Sequence, residues 1–183
     1  HSKEKIMKNK AIYFLFSLAL LTSCKDKLAP VSPDAIQPVV VTEQTVFDTD
    51  DPAIWINKQE QAKSLIIGTD KENGGGLYAY DLQGKIVHQY VDMARPNNVD
   101  IAYDFPYQNQ KIDVAVVTER NANAIRIFKL PELTPIDGGG LKVFEGETTE
   151  EYNEPMGIAL YEGKEGGATV FYAIVGRKNG PAQ

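Results

Sequence analysis

Asp50-Asp51-Pro52-Ala53-Ile54-Trp55, Asn98-Val99-Asp100-Ile101-Ala102-Tyr103 and Pro155-Met156-Gly157-Ile158-Ala159-Leu160-Tyr161 decide the fold, because they read as one pattern written three times. A second apolar stretch follows each, at residues 64–69, 112–118 and 169–175. Each of these runs into a charged turn rich in glycine or asparagine: Asp70-Lys71-Glu72-Asn73-Gly74, Glu119-Arg120-Asn121-Ala122-Asn123 and Arg177-Lys178-Asn179-Gly180. Alternating stretches at 77–82 and 124–130 predict third strands, and 86–90 and 141–144 predict fourth strands. Aligned on their identical residues, the repeats are offset by 49 residues from Asp51 to Asp100 and by 57 from Ile101 to Ile158.

Strands rich in Val, Ile, Tyr and Phe, joined by turns such as Leu82-Gln83-Gly84-Lys85, are antiparallel hairpins. No long stretch shows a 3.6-residue period. A four-stranded antiparallel unit recurring about every fifty residues predicts an all-β chain, the blades of a β-propeller. Residues 39–183 hold about two and a half such units, whereas closing a propeller takes about four to eight, so the chain is expected to be a fragment. Residues 39–47 alternate like one more strand, expected to pair with the last blade of a closed ring. The alternative is a small β-sandwich complete in itself.

The 183 residues carry 19 Lys+Arg against 25 Asp+Glu, a net charge of -6, and 43% of them are apolar. That composition belongs to a globular domain, and the acidic balance argues against nucleic-acid binding. Scarcity excludes other chemistries. Cys24 is the single cysteine, so there is no internal disulfide framework and no cysteine zinc ribbon. His88 is the one histidine in the body of the chain and lies in a predicted strand, Ile86-Val87-His88-Gln89-Tyr90, where it reads as structural. Function must rest on carboxylates, Lys, Arg, Tyr and backbone.

The N-terminal part reads as a leader. Residues 1–6 precede Met7 as an upstream extension or scar. Lys8 and Lys10 then precede an apolar run at 11–21, which is too short for a transmembrane helix, and Leu21-Thr22-Ser23-Cys24 follows. Residues 7–24 are expected to be a lipoprotein signal peptide, with Cys24 lipidated and the protein exported to the cell envelope. An ordinary signal peptide with an incidental cysteine is the alternative. Residues 25–38, with Pro30, Pro33 and Pro38, read as a flexible tether. Without residues 1–24 the chain has 15 basic and 24 acidic residues, a net charge of -9.

Equivalent positions of successive blades fall on one face. Lys71, Arg120 and either Arg177 or Lys178 follow the second strand of their unit and are expected to meet at one rim. Cations repeating in register within an acidic protein suit phosphate. Asp50 and Asp51, without histidine or cysteine nearby, suit a hard cation such as Ca²⁺ or Mg²⁺. The bland readings stand beside these: turn formers at Asp50-Asp51, a solvated charge at Lys71, a pairing of Arg120 with Glu119 or Asp113, and a turn cap at Asp100. Gly74-Gly75-Gly76 is followed by no Gly-Lys-Ser/Thr and is a loop, not a phosphate cradle of the nucleotide-binding kind.

Asp50-Asp51-Pro52-Ala53-Ile54-Trp55, Asn97-Asn98-Val99-Asp100-Ile101, Tyr103-Asp104-Phe105-Pro106, Gly157-Ile158-Ala159-Leu160-Tyr161, Gly68-Thr69-Asp70-Lys71 and Tyr80-Asp81-Leu82-Gln83-Gly84-Lys85 together resemble the β-propeller phytases. The resemblance runs from about Asp48 to Gln183. It implies a six-bladed propeller, monomeric when complete, that removes phosphate from the calcium complex of myo-inositol hexakisphosphate. By matching positions it implies calcium at Asp50, Asp51 and the carbonyls of Pro52 and Val99, and substrate phosphates at Lys71, Arg120 and Lys178, with Arg177 an alternative to Lys178. Met156 stands where the family has a tyrosine near the substrate. The carboxylates that activate water are expected in later blades. A non-catalytic binding propeller on an exported lipoprotein is the competing reading, since one fold serves both uses.

Overall fold

The computed structural model describes residues 31–180. From Pro38 onward the chain forms a compact unit of its own, and the fold below is that of this unit. The leader assigned to residues 7–24, Cys24 and most of the tether lie outside the described residues.

Two four-stranded antiparallel units and a hairpin follow one another along the chain. The first is β1 (Thr49–Trp55), β2 (Leu65–Asp70), β3 (Gly76–Tyr80) and β4 (Ile86–Tyr90), in spatial order β1-β2-β3-β4. The second is β5 (Pro96–Tyr107), β6 (Gln110–Glu119) and β7 (Ala124–Lys129), completed by β8 (Thr134–Pro135) and β9 (Leu141–Lys142), which both pair with β7. The fourth strand expected at 141–144 is therefore split. Pro131 and Pro135 interrupt this outer run, and proline cannot donate to a ladder. The third unit is the hairpin β10 (Pro155–Glu165) and β11 (Ala168–Arg177). The chain is all-β, with successive antiparallel sheets consistent with part of a β-propeller.

Residues 39–47 form no strand, contrary to the alternation of the sequence. Their polar groups are bonded individually to the first blade instead. Glu43 N–H donates to the Gly84 carbonyl, and the Glu43 carboxylate accepts the Ile86 N–H. The buried Asp70 carboxylate accepts the N–H groups of Phe47 and Asp48 at 2.9 and 2.8 Å. These contacts hold the stretch against the first blade without a ladder, and none of the described strands pairs with it.

Side chains alternate across each sheet and fill the spaces between blades. Ala115 and Val117 of β6 join Trp55, Ile67, Leu77 and the fully buried Phe128 in one core between the first and second blades. Val114 and Val116 turn the other way, with Ile125, toward Ile158, Leu160 and Phe171 of the hairpin. Burial on both faces is why Val114-Ala115-Val116-Val117 is a continuous apolar run rather than an alternating one. Gly75 and Gly76 serve chain approach. A Cβ on Gly75 would overlap the Asp70 carbonyl oxygen, and one on Gly76 the Tyr90 carbonyl oxygen. The triple-glycine loop thus closes the β2–β3 hairpin against β4.

Candidate functional site

Register brings the repeat into line. Thr49, Pro96 and Pro155 pair with Asp70, Glu119 and Arg177, and pairing resumes at Pro52–Gly68, Val99–Val117 and Ile158–Val175. Each inner strand therefore has a bulge at the same place, two residues facing one. The bulged pairs are Asp50-Asp51, Asn97-Asn98 and Met156-Gly157, facing Thr69, Thr118 and Gly176. The true offsets are 47 residues from Pro52 to Val99 and 59 from Val99 to Ile158, not the 49 and 57 of the sequence alignment. Matching Asp51 to Asp100 by identity misled that alignment. Asp51 is equivalent to Asn98, and Asp100 does a different job. Its Oδ2 accepts the Leu160 N–H at 2.7 Å, tying the second blade to the third rather than capping a turn.

The hydroxyls of Thr69 and Thr118 hold the bulges. Thr69 Oγ1 accepts the Asp51 N–H at 3.1 Å and donates to the Asn97 carbonyl at 2.5 Å. Thr118 Oγ1 accepts the Asn98 N–H at 3.0 Å and donates to the Met156 carbonyl at 2.7 Å. Each threonine thus joins its own bulge to that of the next blade. Asp51 Oδ2 adds a bond from the Val99 N–H at 3.0 Å.

Directly after the paired end of each second strand come Lys71, Arg120 and Lys178. Their N–H groups donate to the carbonyls of Asp48, Arg95 and Glu154 at 2.9, 2.9 and 3.0 Å. The register makes Lys178, not Arg177, the equivalent of the other two. Arg177 is paired with Glu147 at 3.2 Å and lies over the rings of Phe144 and Tyr152.

The three cations differ in surroundings. Lys71 Nζ is 3.2 Å from both Asp48 Oδ2 and Asp50 Oδ1, and bonding to Asp48 and then Asp50 raises its pKa. It is neither a free solvated charge nor apart from the acidic pair. Arg120 is 4% exposed, and its Nη2 donates to Met156 Sδ at 3.4 Å. Its Nε has no partner among the described residues. Burial, and then the neighbouring Arg95, lower its pKa, against the opposing pull of Glu154, Asp50 and Glu151. The pairings of Arg120 with Glu119 or Asp113 do not form. Glu119 is bonded to the Ala94 N–H at 2.7 Å and to Arg126 at 3.2 Å, while Asp113 takes the Trp55 indole N–H at 2.8 Å and the Asp104 N–H at 3.0 Å. Lys178 is exposed.

Oxygen donors gather beside these cations. Asp50 Oδ2 lies 3.5 Å from Asn97 Nδ2, and Asn97 Oδ1 is a buried acceptor with no partner among the described residues. Two carboxylates and an unsatisfied amide oxygen are donors of the kind that calcium takes. They fall short of its usual six to eight oxygens. No group of three or more His, Cys, Asp or Glu side chains placed to hold a metal occurs among the described residues. The residues present fit part of a calcium shell.

Asn97, Thr69 and Thr118 escaped the sequence reading. The signal was there: Asn97-Asn98 and Asp50-Asp51 are both short polar pairs opening an inner strand, each facing a threonine.

A family model described as Phytase matches residues 11–183. The chain belongs to the phytase family. A 3-phytase of Bacillus subtilis (strain 168) is similar to it, 39% identical over 136 residues that cover 72% of this chain. The chain spans 33% of that relative's length. The phytases are thus the frame in which the bulges, threonines and cations are read.

Proposed function

We propose that this chain forms the phosphate-binding part of a calcium-dependent phytase, which hydrolyses phosphomonoesters of myo-inositol hexakisphosphate and releases inorganic phosphate. One observation carries the reading. Lys71, Arg120 and Lys178 occupy the same register position in three successive units, next to bulges that hold Asp50-Asp51 and Asn97-Asn98. A polyphosphorylated ring presents several anions a few ångströms apart, and a row of repeated cations matches it.

In this reading Arg120 offers a guanidinium fork to one phosphoryl group, while Lys71 and Lys178 act as point charges on others. Charge grows on the phosphoryl oxygens as water attacks phosphorus. The P–O bond to the ring then breaks, and the ring oxygen leaves with a proton. Donors aimed at those oxygens lower the barrier. Asp50, Asp51, the Pro52 and Val99 carbonyls and Asn97 Oδ1 would hold calcium, which when bound neutralises phosphate charge and makes water a better nucleophile. Lys71 is paired with Asp48 and Asp50. That pairing holds the Lys71 ammonium beside the acidic bulge.

The leader belongs to the same proposal: cleavage before Cys24, a lipid on its sulfur, and display of the enzyme at the cell envelope as a monomer. Its test is labelling with a radioactive fatty acid, which Cys24→Ala should abolish.

The test of the activity is phosphate release from phytate at neutral pH, by the protein as its gene encodes it, with excess calcium and with a chelator. Lys71→Ala and Arg120→Ala should each lower kcat/KM by roughly 100-fold, the scale of one lost charge-assisted contact to the transition state. A folded, calcium-binding protein that releases no phosphate would leave the binding-propeller reading in its place.

A further inference from the structure

Arg95 breaks the pattern of the repeat. The residues whose carbonyls accept the N–H of Lys71, Arg120 and Lys178 are Asp48, Arg95 and Glu154. Two of the three are acids, and Asp48 neutralises Lys71 across 3.2 Å. The second blade has a cation where its neighbours have carboxylates, beside the one cation of the three that is buried.

Among the described residues no carboxylate is bonded to either guanidinium, although Glu154, Asp50 and Glu151 act on Arg120 from farther off. Arg95 Nε and Arg120 Nε are both buried and without a partner among the described residues. Glu119, next in sequence to Arg120, is committed to the Ala94 N–H and to Arg126. Asp50 is committed to Lys71 and Asn97. Two guanidinium groups on residues bonded backbone to backbone repel one another, and leaving both Nε–H groups unbonded adds to the cost. The backbone adds strain. Arg95 has φ +62, a left-handed conformation that a side chain disfavours, directly before Pro96. It is held there by its own N–H to the Met93 carbonyl at 3.0 Å and by its carbonyl to the Arg120 N–H at 2.9 Å. Strain and unpaired charge concentrated on one residue are features that a bound group can relieve.

We infer that Arg95 is a phosphate-binding residue that acts as a pair with Arg120, the two guanidinium groups closing on one dianionic phosphoryl group. The inference rests on the phosphate-binding reading above and adds to it a residue outside the repeated row. Two forks supply more N–H donors than one, directed at a group with three terminal oxygens, and the dianion cancels their mutual repulsion.

The probe is inorganic phosphate, titrated by ³¹P line broadening into the full chain and its variants. Arg95→Ala should weaken phosphate binding by roughly 10-fold or more, the scale of a lost charge-assisted contact. Arg95→Gly should weaken it equally while leaving the thermal midpoint unchanged or higher, because glycine accepts φ +62 without strain. That variant separates the guanidinium from the backbone and covers the case in which alanine misfolds. Arg95→Asp, which gives the second blade the acid of its neighbours, should abolish binding. In the Arg120→Ala background the loss from Arg95→Gly should shrink, as expected for two groups on one ligand. If Arg120→Ala loses phosphate while Arg95→Gly binds it within twofold of wild type, the pairing is overturned and the phosphate reading stands. If neither wild type nor any variant binds phosphate, with or without calcium, the underlying reading falls and this inference with it.

Discussion

Thr118→Val tests the hydroxyl that links the second and third blades. Valine has nearly the shape of threonine, so the packing around this fully buried residue is kept. What disappears is one acceptor, 3.0 Å from the Asn98 N–H, and one donor, 2.7 Å from the Met156 carbonyl. Both backbone groups lose their partner in a part-buried place, and an unsatisfied group there costs up to about 1–3 kcal/mol. The extra buried methyl returns about 1 kcal/mol. The net expectation is a loss of about 1–5 kcal/mol; its middle, about 3 kcal/mol, at a urea m value of about 2 kcal/mol per M moves the midpoint down by about 1.5 M. Thr118→Ser, which keeps the hydroxyl, should lose less than half as much. Urea denaturation followed by tyrosine and tryptophan fluorescence reads both. A valine variant with its midpoint within about 0.3 M of wild type, at an unchanged m value, would show that the hydroxyl does not hold the bulge. Thr69→Val is the same experiment one blade earlier and should behave alike.

Other expectations follow from the same geometry. Lys71→Met should leave the urea midpoint nearly unchanged, since its ion pairs are partly exposed, while activity on phytate falls steeply; equal losses in both would make Lys71 a structural residue. Met156→Tyr would place a phenol beside Arg120 and should lower KM for phytate with kcat little changed; a fall in kcat instead would mean that the ring displaces Arg120. Gly75→Ala should prevent the β2–β3 hairpin from closing and abolish cooperative unfolding, readable by circular dichroism. Burial pushes the pKa of Asp137 up, but bonds from Arg126 and from the N–H groups of Ile127 and Gly139 outweigh it and hold the carboxyl below its usual range. A depressed carboxyl pKa stabilises the fold above the unfolded value, about 3.9, and this stability is lost as pH falls through the folded value. Wild type should therefore weaken below about pH 4, and Asp137→Asn should be less stable at neutral pH with a flatter acid limb, measured as urea midpoint against pH.

The buried trio of Glu119, Arg126 and Asp137 shows what a linear reading cannot see. Arg126 binds Asp137 at 2.8 Å and Glu119 at 3.2 Å, and faces the rings of Tyr90 and Phe128. In sequence Arg126 is one polar residue in an alternating strand and Asp137 the start of a glycine-rich loop. Only folding brings the loop back across β7. By occupying Glu119, this trio leaves Arg120 without the carboxylate partner that its sequence neighbour would otherwise supply. The conspicuous charge of the repeat was legible, and the reason it is unneutralised was not.

By itself the sequence determined the class of fold and the order of most of its elements, though not the missing strand at 39–47 or the split fourth strand of the second blade. Apolar alternation with a period of two and turn residues recurring about every fifty positions admit little else, and Ile86–Tyr90 lies where the pattern places it. It also determined which residue types could do chemistry, because one cysteine and one body histidine leave carboxylates and cations. Register was decided by the tertiary structure alone. A bulge inserts two residues opposite one, and nothing in the local pattern marks the extra residue, since its energy comes from a threonine hydroxyl on the next strand and a carbonyl on the next blade. That hidden insertion moved Asp51 from Asp100 to Asn98, aligned Lys178 with Lys71 and Arg120 as the matching of positions had implied, and bonded Arg95 to Arg120. Strand periodicity is a short-range property of the chain, whereas the site depends on hydrogen bonds between blades, which exist only once the blades have packed.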